Sequence, residues 1–141
     1  MVDVKDLMVG NLINTRDGVI EVGKIHRDSV GDKWGAIHFD DEIDGIEVTE
    51  EVLEKIGFKK EDCFKVYAFF RYWDKEYRYK LDVDYGFCNS GRKWHLHIDN
   101  ADCNTIGTGE FTYLHELMNL VGVITGYELK IEKDIFNGMD Y

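Results

Sequence analysis

Thr49-Glu50-Glu51-Val52-Leu53-Glu54-Lys55-Ile56-Gly57-Phe58 reads as a complete short helix, with both its start and its stop written in the sequence. Threonine is a strong N-cap, and glutamates in the first turn favour the positive end of the helix dipole. Val52, Leu53 and Ile56 share one apolar face. Gly57 supplies the C-cap, and Phe58 is placed to fold back on the last turn. A second block of this kind is Tyr113-Leu114-His115-Glu116-Leu117-Met118-Asn119-Leu120, running on to Thr125-Gly126-Tyr127-Glu128-Leu129. Leu114, Leu117, Met118 and Val121 repeat at helical spacing, with Thr112 as the expected N-cap and Gly126 as the C-cap. Gly122 inside it costs about 1 kcal/mol relative to alanine and marks a close approach to a strand.

The segments around these helices read as strands. Residues 6–48 offer Leu12-Ile13, the turn Arg16-Asp17-Gly18, Val19 to His26, a turn over Asp28 to Asp32, Trp34 to Phe39, and Ile43 to Val48. Short strands with tight turns in so few residues predict a small SH3-like β-barrel. After Gly57 the period changes to two. Tyr77, Tyr79, Leu81, Val83 and Tyr85 alternate with charged residues, and Trp94, Leu96 and Ile98 alternate with His95, His97 and Asp99. Phe64 to Phe70 is the expected hairpin partner of the first run, and Asn89-Ser90-Gly91 the turn before the second. The pattern predicts an antiparallel sheet with one face covered and one wet. Tyr127 to Ile131 is read as a final strand, and the last residues, Asn137 to Tyr141, as loose. The expected class is α+β: residues 1–57 as a small β-barrel plus short helix, and residues 58–141 as an antiparallel sheet with a covering helix, joined in one compact unit.

Composition narrows the function classes. The chain has 141 residues, 44% of them hydrophobic, enough to bury a core. No apolar run approaches the ~20 residues a membrane span needs. The N-terminal Met1 to Asp6 lacks a basic region followed by an apolar stretch, so the expected location is the cytoplasm. Cys63, Cys88 and Cys103 are an odd number without a close pair, which points to reduced thiols rather than disulfides or a zinc site. Proline is absent, and 14 glycines take the turn positions.

The formal charge is -11, unevenly spread. Residues 1–57 carry 14 acids and 6 bases, and residues 58–141 carry 14 acids and 11 bases. Asp40, Asp41, Glu42, Asp44, Glu47, Glu50, Glu51 and Glu54 form a stretch of eight acids with no base. Such a surface repels bare nucleic acid and attracts a basic protein surface. It equally serves solubility alone.

Three blocks together resemble a group of small uncharacterised proteins of Bacteroides-type bacteria, their prophages and their mobile elements. The opening Asp6-Leu7-Met8-Val9-Gly10-Asn11 looks like the family's entry into a small barrel. The helix Thr49 to Phe58 is similar to its Thr-Glu-Glu-x-Leu-x-x-x-Gly-Phe block. Tyr113-x-His115-Glu116-Leu117-x-Asn119-Leu120 with Thr125-Gly126-x-Glu128-Leu129 resembles its closing block, where Met118 stands in place of an expected glutamine. The aromatic middle segment matches no block of that family. The resemblance implies a phage or mobile-element setting and brings no activity with it.

No sequence motif carries a mechanism. His95 and His97 share a strand face with Asp99 and can in principle reach one ion, but a wet sheet face gives the same alternation. His115-Glu116 lacks the second histidine of a zincin helix, because Asn119 stands there. Gly107-Thr108-Gly109 precedes a helix but is followed by Glu110, which opposes phosphate and makes a loop turn the better reading. The cysteines have no evident catalytic partner. Arg71, Trp73, Arg78, Lys80, Arg92, His95 and His97, with Tyr67, Tyr72 and Lys93 nearby, form a basic and aromatic set able to stack a base and neutralise a phosphate.

The leading expectation is a non-enzymatic binding protein that blocks a host defence component, meeting a host protein with a basic surface through the acidic stretch. The alternatives are a sponge for a small nucleotide signal on the basic, aromatic set, and a small metal-dependent hydrolase. No cofactor, no direct contact with nucleic acid and no membrane are expected. A sheet edge near the C-terminal strand leaves room for a homodimer.

Overall fold

In the computed structural model, residues 2–63, 67–73, 78–85 and 93–136 are described, with the backbone alone at positions 62, 63, 67 and 68. The fold is α+β, with two antiparallel five-stranded sheets and two α-helices among the described residues. The expected turn at Asn89 to Gly91, Cys88, Arg92 and the chain end from Asn137 lie outside them.

The first sheet contains β1 (Leu12–Thr15), β2 (Gly18–Ile25), β3 (Ser29–Asp32), β4 (Ile37–Phe39) and β5 (Ile43–Asp44), in the order β4-β3-β2-β1-β5. Gly18 takes φ +105°, which a side chain resists, and so closes the β1–β2 hairpin. The two halves of β2 serve different ladders. Its first half pairs with β1, and after a bulge between Val22 and Lys24 its second half pairs with β3. β4 and β5 stand at opposite edges, yet a single 3-10 turn, Asp40–Glu42, joins them. A flat sheet of five strands is about 19 Å across, too far for that link, so the sheet must curl. No ladder joins β4 to β5 among the described residues, so the curl stops short of a closed barrel.

β1 lies between two cores. Ile13 packs with Val2, Val4, Leu7, Ile20, Val22, Val30 and Ile43 inside the curled sheet. Leu12, one residue away and therefore on the other face, belongs to the large core.

That large core sits on the second sheet: β6 (Lys59–Cys63), β7 (Tyr67–Trp73), β8 (Tyr79–Tyr85), β9 (Trp94–Asn100) and β10 (Thr105–Phe111), ordered β10-β9-β8-β7-β6. Phe70, Leu81, Val83, Trp94, Leu96, Ile98 and Phe111 point to its inner face. α1 (Glu50–Ile56) and α2 (Leu114–Thr125) cover them with Val52, Leu53, Leu114, Leu117, Met118 and Val121. The Trp94 indole N–H donates to Val48 O at 3.0 Å, tying the sheet to the segment before α1.

The caps of α1 are as expected. The Thr49 hydroxyl accepts from Val52 N, and Gly57 closes the helix at φ +123°. α2 ends at Gly126 in the left-handed conformation, as expected, but starts one residue later than expected. Its N-cap is Tyr113, and the Glu116 carboxylate accepts the N–H groups of both Thr112 and Tyr113, at 3.1 and 3.0 Å.

Several elements differ from expectation. The expected turn over Asp28 to Asp32 is strand β3, and Trp34 and Gly35, expected to open the next strand, lie in the turn between β3 and β4. The Gly107-Thr108-Gly109 loop is instead the middle of strand β10. A Cβ on Gly107 would stand 2.7 Å from Ile124, and one on Gly109 would stand 2.8 Å from Leu120, so the glycines admit α2 against the strand. β6 is an added edge strand paired with β7. The final strand is absent: 127–132 is an extended segment without a ladder, leading into the 3-10 turn Lys133–Phe136.

Candidate functional site

Three regions hold the residues that the sequence singles out. The first is the outer face of the second sheet, which neither helix covers. Its rows follow from the register. Glu61, Phe69, Asp84, His95 and Glu110 form one row, and Lys59, Arg71, Asp82, His97 and Thr108 the next. Trp73, Lys80, Asp99 and Thr105 form the third.

Arg71 and Lys80 there are tied to carboxylates. Arg71 holds Asp82 through two bonds, Nε to Oδ1 at 2.8 Å and Nη2 to Oδ2 at 3.2 Å, which raises the arginine's pKa further. Lys80 Nζ lies 3.1 Å from Asp99 and 3.8 Å from Asp82. Burial pushes the Asp99 carboxyl up, but bonds from Lys80 and Thr105 outweigh it and hold it below the usual value. The Thr105 hydroxyl donates to Asp99 at 3.0 Å. His97 Nε2 is 2.8 Å from that hydroxyl oxygen, so with its proton given to Asp99 the oxygen accepts from the imidazole. His95 Nδ1 is 3.7 Å from Glu110.

This face carries more carboxylates than cations, so a phosphate gains little there. Asp99 is engaged by Lys80 and Thr105, and no group of three His, Cys, Asp or Glu among the described residues is placed to hold a metal ion.

Arg78 does not join Arg71 and Lys80. It precedes the first residue of β8 and turns toward the helix layer, where its guanidinium lies 3.9 Å from the centre of the Tyr127 ring and donates to the Tyr127 hydroxyl at 2.6 Å. It thereby lines the second region, a 480 Å³ cavity between β7, β8, the end of α2 and the 127–132 segment. Tyr72, Tyr79 and Tyr127 give it aromatic walls. Its charged lining is balanced, Arg78 and Lys130 against Glu128 and Glu132. Of the basic and aromatic set that the sequence singles out, Arg78 alone lines this cavity, with its neighbour Tyr72; Arg71, Trp73, Lys80, His95 and His97 stay in the rows of the outer face. The cue in the sequence is Tyr127, which follows the C-cap glycine and so is held close to α2.

The third region is the acidic segment. Asp40, Asp41 and Glu42 form the 3-10 turn, Asp44 ends β5, Glu47 follows, and Glu50, Glu51 and Glu54 lie on α1. All eight side chains reach solvent; Glu42 is half-buried and the others are exposed. Glu42 lies 4.0 Å from Arg16 and Glu51 lies 3.9 Å from Lys55, long ion pairs worth little at an exposed surface. Ile46 and Val48 anchor the backbone beneath them in the large core, and Ile43 anchors it in the small one.

The segment is also fixed to α2. Leu114 N donates to Ile46 O at 2.8 Å, Val48 N donates to Thr112 O at 3.0 Å, and Tyr113 packs directly on Gly45. Immediately before the segment, β4 exposes Ile37 and Phe39, at 56% and 52%. Its middle residue, His38, is buried and bonds Asp32 at 3.1 Å. That bond, together with the N–H groups of Trp34 and Ala36, holds the Asp32 carboxyl below its ordinary value despite burial.

His115 is a further buried polar residue. Burial drives its pKa down, its ring stacks on Tyr113 at 5.9 Å, and its Nδ1 has no hydrogen-bond partner among the described residues. It stands on α2 within the core rather than in any of the three regions. The opening segment and the closing helix meet here as well. Asn11 donates to Asn119 at 2.8 Å and accepts from Met8 N, while Asn119 donates to Asp6 O, so the opening block is clamped on the closing helix. No family model, curated protein or solved structure matches the chain.

Proposed function

We propose that this chain is a non-enzymatic binding protein that docks on a basic protein surface through the segment Asp40 to Glu54. The observation that carries the reading is that seven of the eight acids are exposed and the eighth, Glu42, is half-buried, on a backbone anchored in both cores. Fixed, solvated charge of one sign raises the encounter rate with an oppositely charged partner and costs little ordering on binding. In the mobile-element setting that the resemblance implies, the partner is a host defence protein whose basic surface otherwise serves nucleic acid, and the site of action is the host cytoplasm. The curled sheet supports an SH3-like barrel left open at β4 and β5, for two three-stranded ladders share β2 and a 3-10 turn joins the outer strands.

The test is native mass spectrometry of the protein purified from its producing cell, at low and at high salt. A protein partner that is retained at low salt, released at high salt and lost in the Asp40→Asn, Asp41→Asn, Glu42→Gln variant supports the reading. A partner retained equally at both salts, or by the variant, refutes it.

The cavity favours a second reading, a sponge for a small ligand. Its volume and three tyrosine walls fit a planar aromatic group, and Arg78 and Lys130 supply two cations. A small mass released on denaturation, and absent after Tyr79→Ala, would move the proposal there.

A further inference from the structure

We infer that β4 is a strand-addition site, and that its occupant is an extended partner segment with alternating apolar residues and a basic end. The inference rests on the acidic docking reading and specifies the form of the partner. It starts from the register of β3 and β4, which pairs Ser29 with Phe39, Val30 with His38 and Gly31 with Ile37.

Asp32 N donates to Ala36 O, and Asp40 N donates to Asp28 O. In an antiparallel ladder the hydrogen-bonded pairs alternate with non-bonded ones. The bonded pairs are therefore Asp32 with Ala36, Val30 with His38, and Asp28 with Asp40. Ile37 and Phe39 fall between them, so the N–H groups of both and the Ile37 C=O point away from β3, along the open edge, while the Phe39 C=O, at the N-cap, is taken by the 3-10 turn Asp40–Glu42.

The same two residues expose their apolar side chains, while His38 between them is buried on Asp32. Backbone donors, a backbone acceptor and apolar contacts thus coincide at one edge. An edge strand with unpaired backbone groups and exposed apolar side chains is a template for pairing with another chain. Here the chain runs directly from Phe39 into Asp40, Asp41 and Glu42. A strand added to β4 would place apolar residues beside Ile37 and Phe39, and a lysine or arginine at its end against those carboxylates. A second copy of this chain suits the edge less well, because two surfaces of charge -11 repel.

The probe is a labelled synthetic peptide, Lys-Arg-Thr-Val-Thr-Val-Thr, titrated against the full chain by fluorescence anisotropy. A matched peptide, N-methylated at alternate residues so that it cannot pair as a strand, serves as the control. The expected result is saturable binding that weakens about tenfold on N-methylation, the size of one or two lost hydrogen bonds. A similar loss is expected in the Phe39→Thr variant, whose exposed position spares the fold. Equal binding of both peptides overturns strand addition and leaves charge-driven docking standing. No binding of either peptide at low salt overturns the inference, and the salt test above then judges the docking reading separately. Sedimentation showing a dimer that Ile37→Asp dissolves overturns it in favour of a second copy.

Discussion

Gly45→Ala probes the joint that holds the acidic segment on α2. The backbone of Gly45 lies outside the left-handed region, so alanine meets no conformational barrier there. The obstacle is Tyr113, since an added Cβ would stand 2.6 Å from its Cγ and Cδ1 and 3.1 Å from its Cβ. Relaxed carbon contacts lie at about 3.5–4.0 Å, so the overlap is near 1 Å. The ring root has little freedom to yield. Tyr113 is the N-cap of α2, its neighbours bond Ile46 and Val48, and its backbone bridges Glu47. Overpacking of this kind costs about 1–3 kcal/mol, and the fixed neighbour places Gly45→Ala in the upper half of that range. At roughly 3 °C per kcal/mol for a domain of this length, the melting temperature should fall by about 6–9 °C. Thermal and urea unfolding followed by circular dichroism measure it. In a Tyr113→Ala background the same substitution should be close to neutral, giving a coupling of about 2 kcal/mol. A Gly45→Ala protein as stable as the parent, or one that loses the same amount in both backgrounds, would refute the steric account.

Acid should weaken the fold in two steps. Burial keeps His115 deprotonated in the folded chain, whereas the unfolded chain takes up a proton near the ordinary histidine value of about 6.5. Stability therefore rises with pH through the window below that value and levels off above it. Urea midpoints at pH 5.5 and 7.5 should differ in the parent and converge in His115→Leu, which also removes the unpartnered Nδ1. Asp32 and Asp99 have lowered values, so their stabilisation is complete above about pH 4 and is lost as pH falls through the folded values; Asp32→Asn should reduce that second step. Asn11→Ala should cost about 1–3 kcal/mol in urea unfolding, because it strands Met8 N and the Asn119 carbonyl. Trp94→Phe should cost a similar amount through the buried Val48 carbonyl, and an unchanged midpoint would remove that bond from the account.

The helices were legible because their ends are chemical. Thr49, Gly57 and Gly126 stand where capping requires them, and only the start of α2 moved, since a glutamate side chain one turn inside does the capping. Strand β10 was hidden because its inner positions are glycines, filled from outside by Leu120 and Ile124; a local reading has no access to a side chain lent by another element. Of Tyr127, Leu129 and Ile131 only Leu129 is fully buried while Tyr127 is exposed, and an alternating sequence does not by itself supply a partner strand. β6 was missed because its Lys-Lys-Glu-Asp sequence looks like a loop, and charge is also how an edge strand is protected. Among the candidate site residues, the acids follow one stretch of chain and were placed together by sequence alone. In the basic set, Arg71, Trp73, Lys80, His95 and His97 share the outer face as their alternation implies, and Arg78 alone departs, because it sits just before the strand, where the two-residue rule no longer fixes its side.

Leu12 and Ile13 give the protein a property that neither sheet has by itself. One peptide bond joins residues embedded in different apolar interiors, so neither interior can dissolve without dragging the shared strand out of the other. Opening should be concerted, and the amides of β1 should exchange with solvent only at the rate of whole-molecule unfolding. The surface that carries the acids is then a stiff plate rather than a hinged flap.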